Sequence, residues 1–184
     1  MNITFTNLTK KYGNKTVFDN FTYTLEINGI LIVKGASGKG KTTLMKMIAG
    51  FEDYSGEISV PTDKISFMFQ EDRLIPFISV LKNVEAVSDV NTAEKILSEL
   101  ELEKEFDSPP QSLSGGMRRR ASLARALAYP SKLVILDEPF KGLDESLKQK
   151  CIEIIKRESK SRDFIIITHE SVDKFIPDAK TFIL

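Results

Sequence analysis

The chain has 184 residues, in which 26 basic and 26 acidic side chains balance, and it contains a single cysteine, Cys151. This length fits one domain with its own hydrophobic core, and the balanced charge argues against a protein that wraps nucleic acid or adheres to anionic membranes. A lone cysteine excludes an internal disulfide, and no apolar stretch approaches the ~20 residues needed to cross a bilayer. We therefore expect a soluble protein with one domain, residues 1–184, that recognises its partners locally.

The amino-terminal part of the chain predicts an antiparallel β region. Apolar residues recur at every second position in Ile3–Phe5 and Phe21–Leu25, with threonines between them, which is typical of strands exposed on one face. Gly13–Asn14 marks the turn between these strands. The apolar run Ile30–Val33 predicts a buried strand, and apolar residues three and four apart within Leu44–Ile48 predict a helix after it.

The rest of the chain alternates between strand and helix patterns. Apolar runs predict strands at Glu57–Val60, Ile65–Phe69, Leu133–Leu136 and Phe164–Ile167. The spacing of apolar residues predicts helices over Val90–Leu100, with Thr92 as its N-terminal cap, Leu123–Ala128 and Leu147–Ile155. Strands that alternate with helices form parallel β-α-β units, so the sequence predicts an α/β fold with a mainly parallel central sheet flanked by helices.

A glycine-rich run between the first buried strand and its helix has the spacing of a phosphate-binding loop. A nucleotide triphosphate needs backbone amides brought close by glycines at the start of a helix, whose positive end also favours anions. Lys41 is expected to reach the β- and γ-phosphates, and the Thr42 hydroxyl to coordinate Mg²⁺. The alternative is a glycine-rich turn that matches by chance. The predicted nucleotide-binding residues of the loop are Gly35, Ala36, Ser37, Gly38, Lys39, Gly40, Lys41, Thr42 and Thr43.

Two carboxylates, Asp137 and Glu138, follow the apolar run Leu133–Leu136. This places them at the carboxyl end of a buried strand, where ligand sites of α/β proteins lie. We expect Asp137 to hold Mg²⁺ through its waters and Glu138 to polarise the attacking water as a general base. Without the glycine loop, the same pair would more often be a strand end that meets solvent.

The segment Leu113–Met117 reads LSGGM and lies between the glycine loop and the acidic pair. With Arg118–Leu127 after it, this segment resembles the signature of the ATP-binding cassette (ABC) ATPases, the nucleotide-binding subunits of transporters. The resemblance covers nearly the whole chain, although Met117 and Arg119 stand where glutamine is common in the family. It implies a P-loop NTPase with an antiparallel β edge subdomain and a short α-helical subdomain that carries the signature.

The resemblance also implies subregions and further site residues. Residues 1–70 would hold the antiparallel β region and nucleotide-binding core, 71–113 the helical subdomain, and 114–184 the signature helix and remaining core. The other implied site residues are Tyr12, which stacks on adenine, Gln70, which serves catalysis and the metal, His169, the catalytic switch histidine, and Ser114, Gly115 and Gly116, which contact nucleotide. Taken alone, Tyr12 could equally cover an edge strand, and a single histidine after a strand is more often a satisfied polar residue.

In the family two subunits pack head to tail, so the signature of one closes over the ATP of the other. The resemblance therefore implies an Mg²⁺-dependent ATPase that partners a second copy of itself and a separate membrane permease. Phe69–Val84 resembles the corresponding segment of nitrate, sulfonate and taurine importers, which favours import, with an extracytoplasmic solute-binding protein as a further partner. Such a subunit lies in the cytoplasm, on the inner face of the membrane.

Other functions remain open. An exporter uses the same ATP chemistry with a different membrane partner. A non-transport ABC ATPase would bind a soluble protein or nucleic acid, and a nucleotide sensor would bind ATP without useful hydrolysis, which Glu138 and His169 disfavour. Four arginines could suggest nucleic acid, but they lack interleaved aromatics, so we expect no nucleic acid and a solvated or subunit-facing helix surface. These arginines are Arg118, Arg119, Arg120 and Arg125.

The chain has only a short segment after His169, ending at Thr181–Leu184. We therefore expect the strands that usually close the fold in this family to be reduced or absent.

Overall fold

A computed structural model describes residues 1–172 and 174–184. In chain order the strands are β1 (Asn2–Tyr12), β2 (Lys15–Glu26), β3 (Ile30–Lys34), β4 (Ser55–Ser59), β5 (Ile65–Met68), β6 (Leu133–Asp137), β7 (Asp163–Ile167) and β8 (Lys180–Ile183). The helices are α1 (Lys41–Ile48), α2 (Val80–Glu85), α3 (Val90–Glu99), α4 (Gly115–Ala128) and α5 (Glu145–Glu158). Short 3-10 turns cover Glu103–Glu105 and Pro110–Ser112.

An antiparallel sheet in the order β2-β1-β4 forms at the amino-terminal side. The β1–β2 hairpin turns at Gly13–Asn14, as the sequence predicts. On either side of the turn, Tyr12 lies opposite Lys15. Ile3 and Phe5 are fully buried and lie two positions apart, whereas the intervening residues are less buried. The period-two pattern therefore records which face of this sheet packs on the core.

A parallel sheet in the order β5-β6-β7-β3-β8 forms the centre of the described structure. Every residue of β6 is buried because helices and the antiparallel sheet cover both of its faces. The register pairs Asp137 at the end of β6 with Ile167 at the end of β7. The acidic pair and the segment after β7 therefore meet at the carboxyl edge of the sheet, beside the loop that follows β3. The predicted α/β fold is confirmed.

Helices α2 and α3 pack against α4 beside the parallel sheet. Helix α3 begins at Val90, and the Asp89 side chain caps it by accepting a hydrogen bond from the Thr92 backbone N–H at 3.0 Å. The prediction that Thr92 is the cap is therefore wrong by three positions. The helix starts one residue after Asp89, whose side chain reaches forward to an amide of the first turn. Sequence patterns also missed α2, which has only six residues.

The last four-residue strand, β8, lies parallel to β3, with Ile32 opposite Thr181. A short closing strand is therefore present, so the expectation that closing strands are reduced or absent is wrong in its second alternative. The strand escaped prediction because only four residues contribute and most of them are exposed. Within the described residues, no helix is long and apolar enough to cross a membrane.

The arginine cluster on α4 does not form a solvated surface throughout. Arg119 is 4% exposed and Arg120 is 8% exposed. The expectation of a solvated or subunit-facing surface is wrong for these two residues, because their long side chains reach through the packed layer to backbone carbonyls on other segments. Arg118 and Arg125 are partly buried.

Candidate functional site

A cavity of about 440 Å³ opens at the carboxyl edge of the parallel sheet. It brings together the phosphate-loop residues, the acidic pair, Gln70, His169 and Tyr12, which lie far apart in the sequence. The lining residues are Tyr12, Lys15, Val17, Ser37, Gly38, Gly40, Lys41, Thr42, Thr43, Gln70, Asp137, Glu138, Ile167 and His169. Gly35, Ala36 and Lys39 belong to the same loop without lining the cavity.

The phosphate loop leads directly into α1. Gly40 precedes the helix in a left-handed conformation, with φ of 95°, and a Cβ there would lie 2.6 Å from a side-chain carbon of Val17. Only glycine fits this close approach without strain. The turn directs the amino terminus of α1, with its free amides, toward the cavity. Lys41 Nζ donates to the carbonyls of Gly35 at 2.7 Å and Ala36 at 3.0 Å, so its ammonium lies over the loop where phosphate would sit.

Thr42 and Asp137 bring two oxygen atoms that could bind a metal ion into the cavity. The Thr42 hydroxyl donates to Asp137 Oδ2 at 2.7 Å, and Asp137 is 1% exposed. Burial raises the pKa of Asp137 because the carboxylate loses water, while the hydrogen bond from Thr42 opposes this rise. Hydroxyl and carboxylate oxygens are ligands that Mg²⁺ prefers. The residues present fit a magnesium ion, whose charge would favour the ionised form of Asp137.

Glu138 occupies an unusual backbone conformation beside His169. Its φ is 53°, in the left-handed region that residues other than glycine rarely adopt. Its backbone N–H donates to the Ile167 carbonyl at 2.8 Å, and its Oε2 accepts from the His169 backbone N–H at 3.3 Å. His169 Nε2 lies 3.6 Å from Glu138 Oε1. The carboxylate is therefore held at the cavity wall next to the histidine, where a general base can act on water.

Tyr12 and Gln70 lie at the rim of the same cavity. Tyr12 is 45% exposed, and Lys10 Nζ lies 4.7 Å from its ring centre. An exposed flat ring at this position is available for stacking on a base. The roles of Tyr12 and Gln70 stay predictions, because their placement at the rim is all that the geometry gives.

The signature residues lie at the start of α4 and do not line this cavity. Ser114 caps the helix by accepting from the Met117 backbone N–H at 3.2 Å, and Ser114 and Gly115 are exposed. The amides of the first turn of α4 are thus presented at the surface, outside the chain's own cavity. This arrangement agrees with a signature that serves the nucleotide of another copy, which stays a prediction.

Sequence reasoning missed four residues of the site, one of which, Ile167 at the end of β7, was predicted only as part of a strand. Lys15 and Val17 line the cavity from β2. Their signal was the register of the hairpin, because Lys15 lies directly opposite Tyr12. Arg119 lies behind the cavity and donates to the carbonyl of Glu138, at 2.9 Å from its Nε. In the sequence, Arg119 stands out only as a departure from the usual glutamine and as one of four clustered arginines.

The middle of the chain matches a known family. Residues 18–141 fit the family model described as ABC transporter. The chain belongs to the ABC transporter family. The matched range contains the phosphate loop, the signature and the acidic pair, and as an ABC protein the chain is an ATP-binding ATPase.

Relatives within the ABC family agree along most of the chain. The chain is 34% identical to the aliphatic sulfonates import ATP-binding protein of Nocardia farcinica, with 95% of this chain and 74% of that protein covered. It is 29% identical to a putative hemin import ATP-binding protein of Staphylococcus epidermidis, with 95% and 93% covered. Both relatives are described as import ATP-binding proteins.

The fold is also similar to solved ABC structures. The dimeric structure of a bacterial ABC transporter cassette superposes with a TM-score of 0.82 at 26% identity, over 94% of this chain and 90% of that chain. A dimeric post-hydrolysis state of an ATP-binding cassette, bound to ADP and Pi, gives a TM-score of 0.80 at 28% identity, over 91% and 88%.

Proposed function

We propose that this ABC ATPase is the ATP-hydrolysing subunit of an importer, with a separate membrane permease as its partner. The observation that carries the ATP-hydrolysing part of this proposal is the cavity that unites Lys41, Thr42, Asp137, Glu138 and His169. This cavity combines a lysine ammonium, two carboxylates and the free amides of a helix. Polar residues that serve only stability do not require that combination.

Each residue of the cavity has a distinct part in hydrolysis. The loop amides and Lys41 bind the phosphates and compensate their charge, since phosphoryl transfer depends mainly on positioning and electrostatics. Thr42, Asp137 and Gln70 would hold Mg²⁺, and the ion would compensate the negative charge of the phosphates. Glu138 accepts a proton from the attacking water, and His169 lies beside it to contact the γ-phosphate.

We further propose that ATP joins two copies of the chain. Ser114, Gly115 and Gly116 lie outside their own cavity, and the first turn of α4 has amides that suit phosphate. In a head-to-tail pair, the signature of one copy would close the cavity of the other. Hydrolysis would remove the γ-phosphate contacts and let the copies separate, a ligand-driven population shift.

A second groove, lined in part by residues of the segment that resembles importer subunits, supports a permease partner. Its volume is about 380 Å³, and it is lined by Asp72, Arg73, Leu74, Pro76, Pro110, Gln111 and Arg118. Next to it in sequence, Phe77 is 92% exposed and Ile75 is 43% exposed. We infer that these two exposed apolar side chains, which lie two positions apart, belong to the surface that contacts the permease.

The direction of transport is inferred from relatives. The relatives from Nocardia farcinica and Staphylococcus epidermidis are both described as import ATP-binding proteins. Import by a permease implies a subunit on the inner face of the membrane and, for the sulfonate type, a solute-binding protein outside. The transported solute is set by the permease and not by this chain.

Co-purification from the native host tests the partner. A tagged full chain extracted in mild detergent is expected to bring down a polytopic membrane protein, and Phe77→Asp should abolish this recovery. Ile183→Asp is the matched control, because Ile183 is also exposed, at 77%, but lies on β8 outside the groove. Recovery of soluble proteins or RNA alone would favour a non-transport ATPase and contradict the transporter. Solute efflux by the reconstituted complex would favour an exporter.

A further inference from the structure

The guanidinium of Arg119 lies behind the catalytic cavity and is 4% exposed. It donates to backbone carbonyls and to one carboxylate from two separate segments. The contacts are Nη1 to Phe69 O at 3.0 Å, Gln70 O at 3.0 Å and Asp72 Oδ1 at 3.2 Å, Nε to Glu138 O at 2.9 Å, and Nη2 to Glu138 O at 2.6 Å and to Asp137 O. These hydrogen bonds hold the guanidinium in one position, and they also hold the two backbone segments relative to each other.

The two segments are the ones that carry the proposed hydrolytic residues. Gln70 follows β5, whereas Asp137 and Glu138 end and follow β6, and these strands are parallel neighbours. Beyond the strand ends, the sheet no longer holds the two segments together with ladder hydrogen bonds. Arg119 supplies that connection from α4.

The connection also stabilises the uncommon backbone of Glu138. The Glu138 peptide is held on one side by its N–H bond to Ile167 O and on the other by its carbonyl bonds from Arg119. A left-handed residue other than glycine persists only where its surroundings determine it. The direction of the Glu138 carboxylate follows from this backbone.

The guanidinium suits this task better than the glutamine that is common in the family at this position. A guanidinium has five N–H donors in a rigid plane, whereas a glutamine amide has two donors on a shorter side chain. Two N–H donors cannot reproduce all the contacts that Arg119 makes with the two segments.

We propose that Arg119 is a positioning residue for ATP hydrolysis, which keeps Glu138 aligned with the segment that carries Gln70. The inference rests on the proposed roles of Glu138 and Gln70. Arg119 acts through these residues and does not touch nucleotide, since it does not line the cavity. Its loss should therefore lower kcat and leave the binding of ATP nearly unchanged.

The test compares matched variants of two buried arginines. Arg119→Gln and Arg119→Met are measured in the full chain, alongside Arg120→Gln and Arg120→Met. Arg120 is on the same helix and 8% exposed, but its guanidinium donates to Leu100 and Glu101 carbonyls in the helical part. Both sets remove a buried charge, so both are expected to lower Tm.

The two sets should differ in kinetics. With rates corrected for the folded fraction, kcat should fall about 10-fold for Arg119→Gln and about 100-fold for Arg119→Met, in the order of donors lost, with KM for ATP within about 3-fold. The Arg120 variants should keep kcat within about 3-fold. The graded loss of kcat at constant KM separates positioning from a purely structural role.

Three outcomes decide the matter. Unchanged kcat in the folded Arg119 variants would overturn the proposal, and so would an equal loss of kcat in the Arg120 set. A rise in KM without a change in kcat would also overturn it, because Arg119 would then serve binding. Glu138→Gln is run in the same assay. If that variant hydrolyses ATP at the wild-type rate, the proposed site fails, whatever Arg119 does.

Discussion

The carboxylate of Asp137 is buried where it destabilises the free protein. Burial raises its pKa above the ordinary value, so the folded state binds a proton more tightly than the unfolded state does. The favourable contribution of this group is present below its ordinary pKa and is lost as the pH rises through the raised value. At neutral pH the ionised group therefore costs stability, which a bound cation would offset.

Replacing Asp137 with Asn should reveal this cost. The neutral amide keeps an oxygen for the Thr42 hydroxyl, so Asp137→Asn should stabilise the nucleotide-free protein at pH 7 and raise its Tm. The advantage should shrink as the pH is lowered toward the raised pKa. Thermal unfolding between pH 4 and pH 8 measures both effects. A lower Tm for the variant at pH 7 would contradict this reading.

Lys41 should govern nucleotide affinity. Its ammonium lies over the loop carbonyls at the place where phosphates would bind, so Lys41→Ala should weaken ATP binding by about 10-fold or more. Lys39 is a matched control on the same loop. Its side chain does not line the cavity, so any part it takes in nucleotide binding would come from its backbone amide. Lys39→Ala keeps that amide and should change affinity little. Titration with a fluorescent ATP analogue measures both. Unaltered affinity in Lys41→Ala would count against the phosphate loop.

Glu138 should govern turnover. Glu138→Gln keeps the size of the side chain and leaves the phosphate loop intact, so ATP affinity should persist while kcat falls by about 10²- to 10⁴-fold, the usual effect of a positioned general base. Phosphate release under saturating ATP measures the rate. An unchanged rate would remove Glu138 from the mechanism.

Cys151 should be chemically silent in the folded protein. It is fully buried in the core, and burial raises the pKa of its thiol to about 12. A disulfide reagent such as DTNB at pH 8 should leave it unmodified until urea unfolds the chain. Modification of the native protein at the rate of a free thiol would contradict the buried position.

At the level of elements, the sequence predicted the members of the sheet better than their ends. Runs such as Leu133–Leu136 predicted buried strands correctly because both faces of a central parallel strand are covered. Short elements such as α2 contain too few residues to show a periodic pattern of apolar side chains. Strand β8 is defined by its pairing with β3. Pairing between distant segments leaves little trace in a local pattern.

In the candidate site, too, residues set by local sequence were predictable, whereas residues set by contacts between distant segments were not. The loop and the acidic pair were predictable because backbone geometry and a strand end impose them locally. Arg119 was not, because its partners lie 18 to 50 positions away in the sequence. An arginine on a helix is most often solvated, and only the packed structure shows that its charge meets carbonyls instead.

Gly56 provides a test of the antiparallel sheet. Its φ is 94°, and a Cβ there would lie 2.4 Å from the Asn7 carbonyl oxygen on β1. Gly56→Ala should therefore separate β4 from β1 and destabilise the protein by more than about 2 kcal/mol. Gly13→Ala is the control, since its φ is 55° but its Cβ would meet open space, and it should cost only about 1 kcal/mol. Equal losses in urea unfolding would contradict the close approach.

At the scale of the whole molecule, one fold separates two phosphate-binding features. The cavity with Lys41 lies at the carboxyl edge of the parallel sheet, whereas Ser114 starts α4 outside that cavity. Because the signature does not line the cavity of its own chain, we propose that the two features become complementary between copies. The dimeric state of the similar solved cassettes agrees with this arrangement.

The central claim is that ATP lies between the phosphate loop of one copy and the signature of another. Sedimentation of Glu138→Gln at saturating Mg²⁺ and ATP tests it most directly. The account predicts a particle of twice the monomer mass, which Ser114→Arg in the same background returns to a monomer. A Glu138→Gln protein that stays monomeric with ATP, or a Ser114→Arg variant that dimerises equally well, would contradict the account.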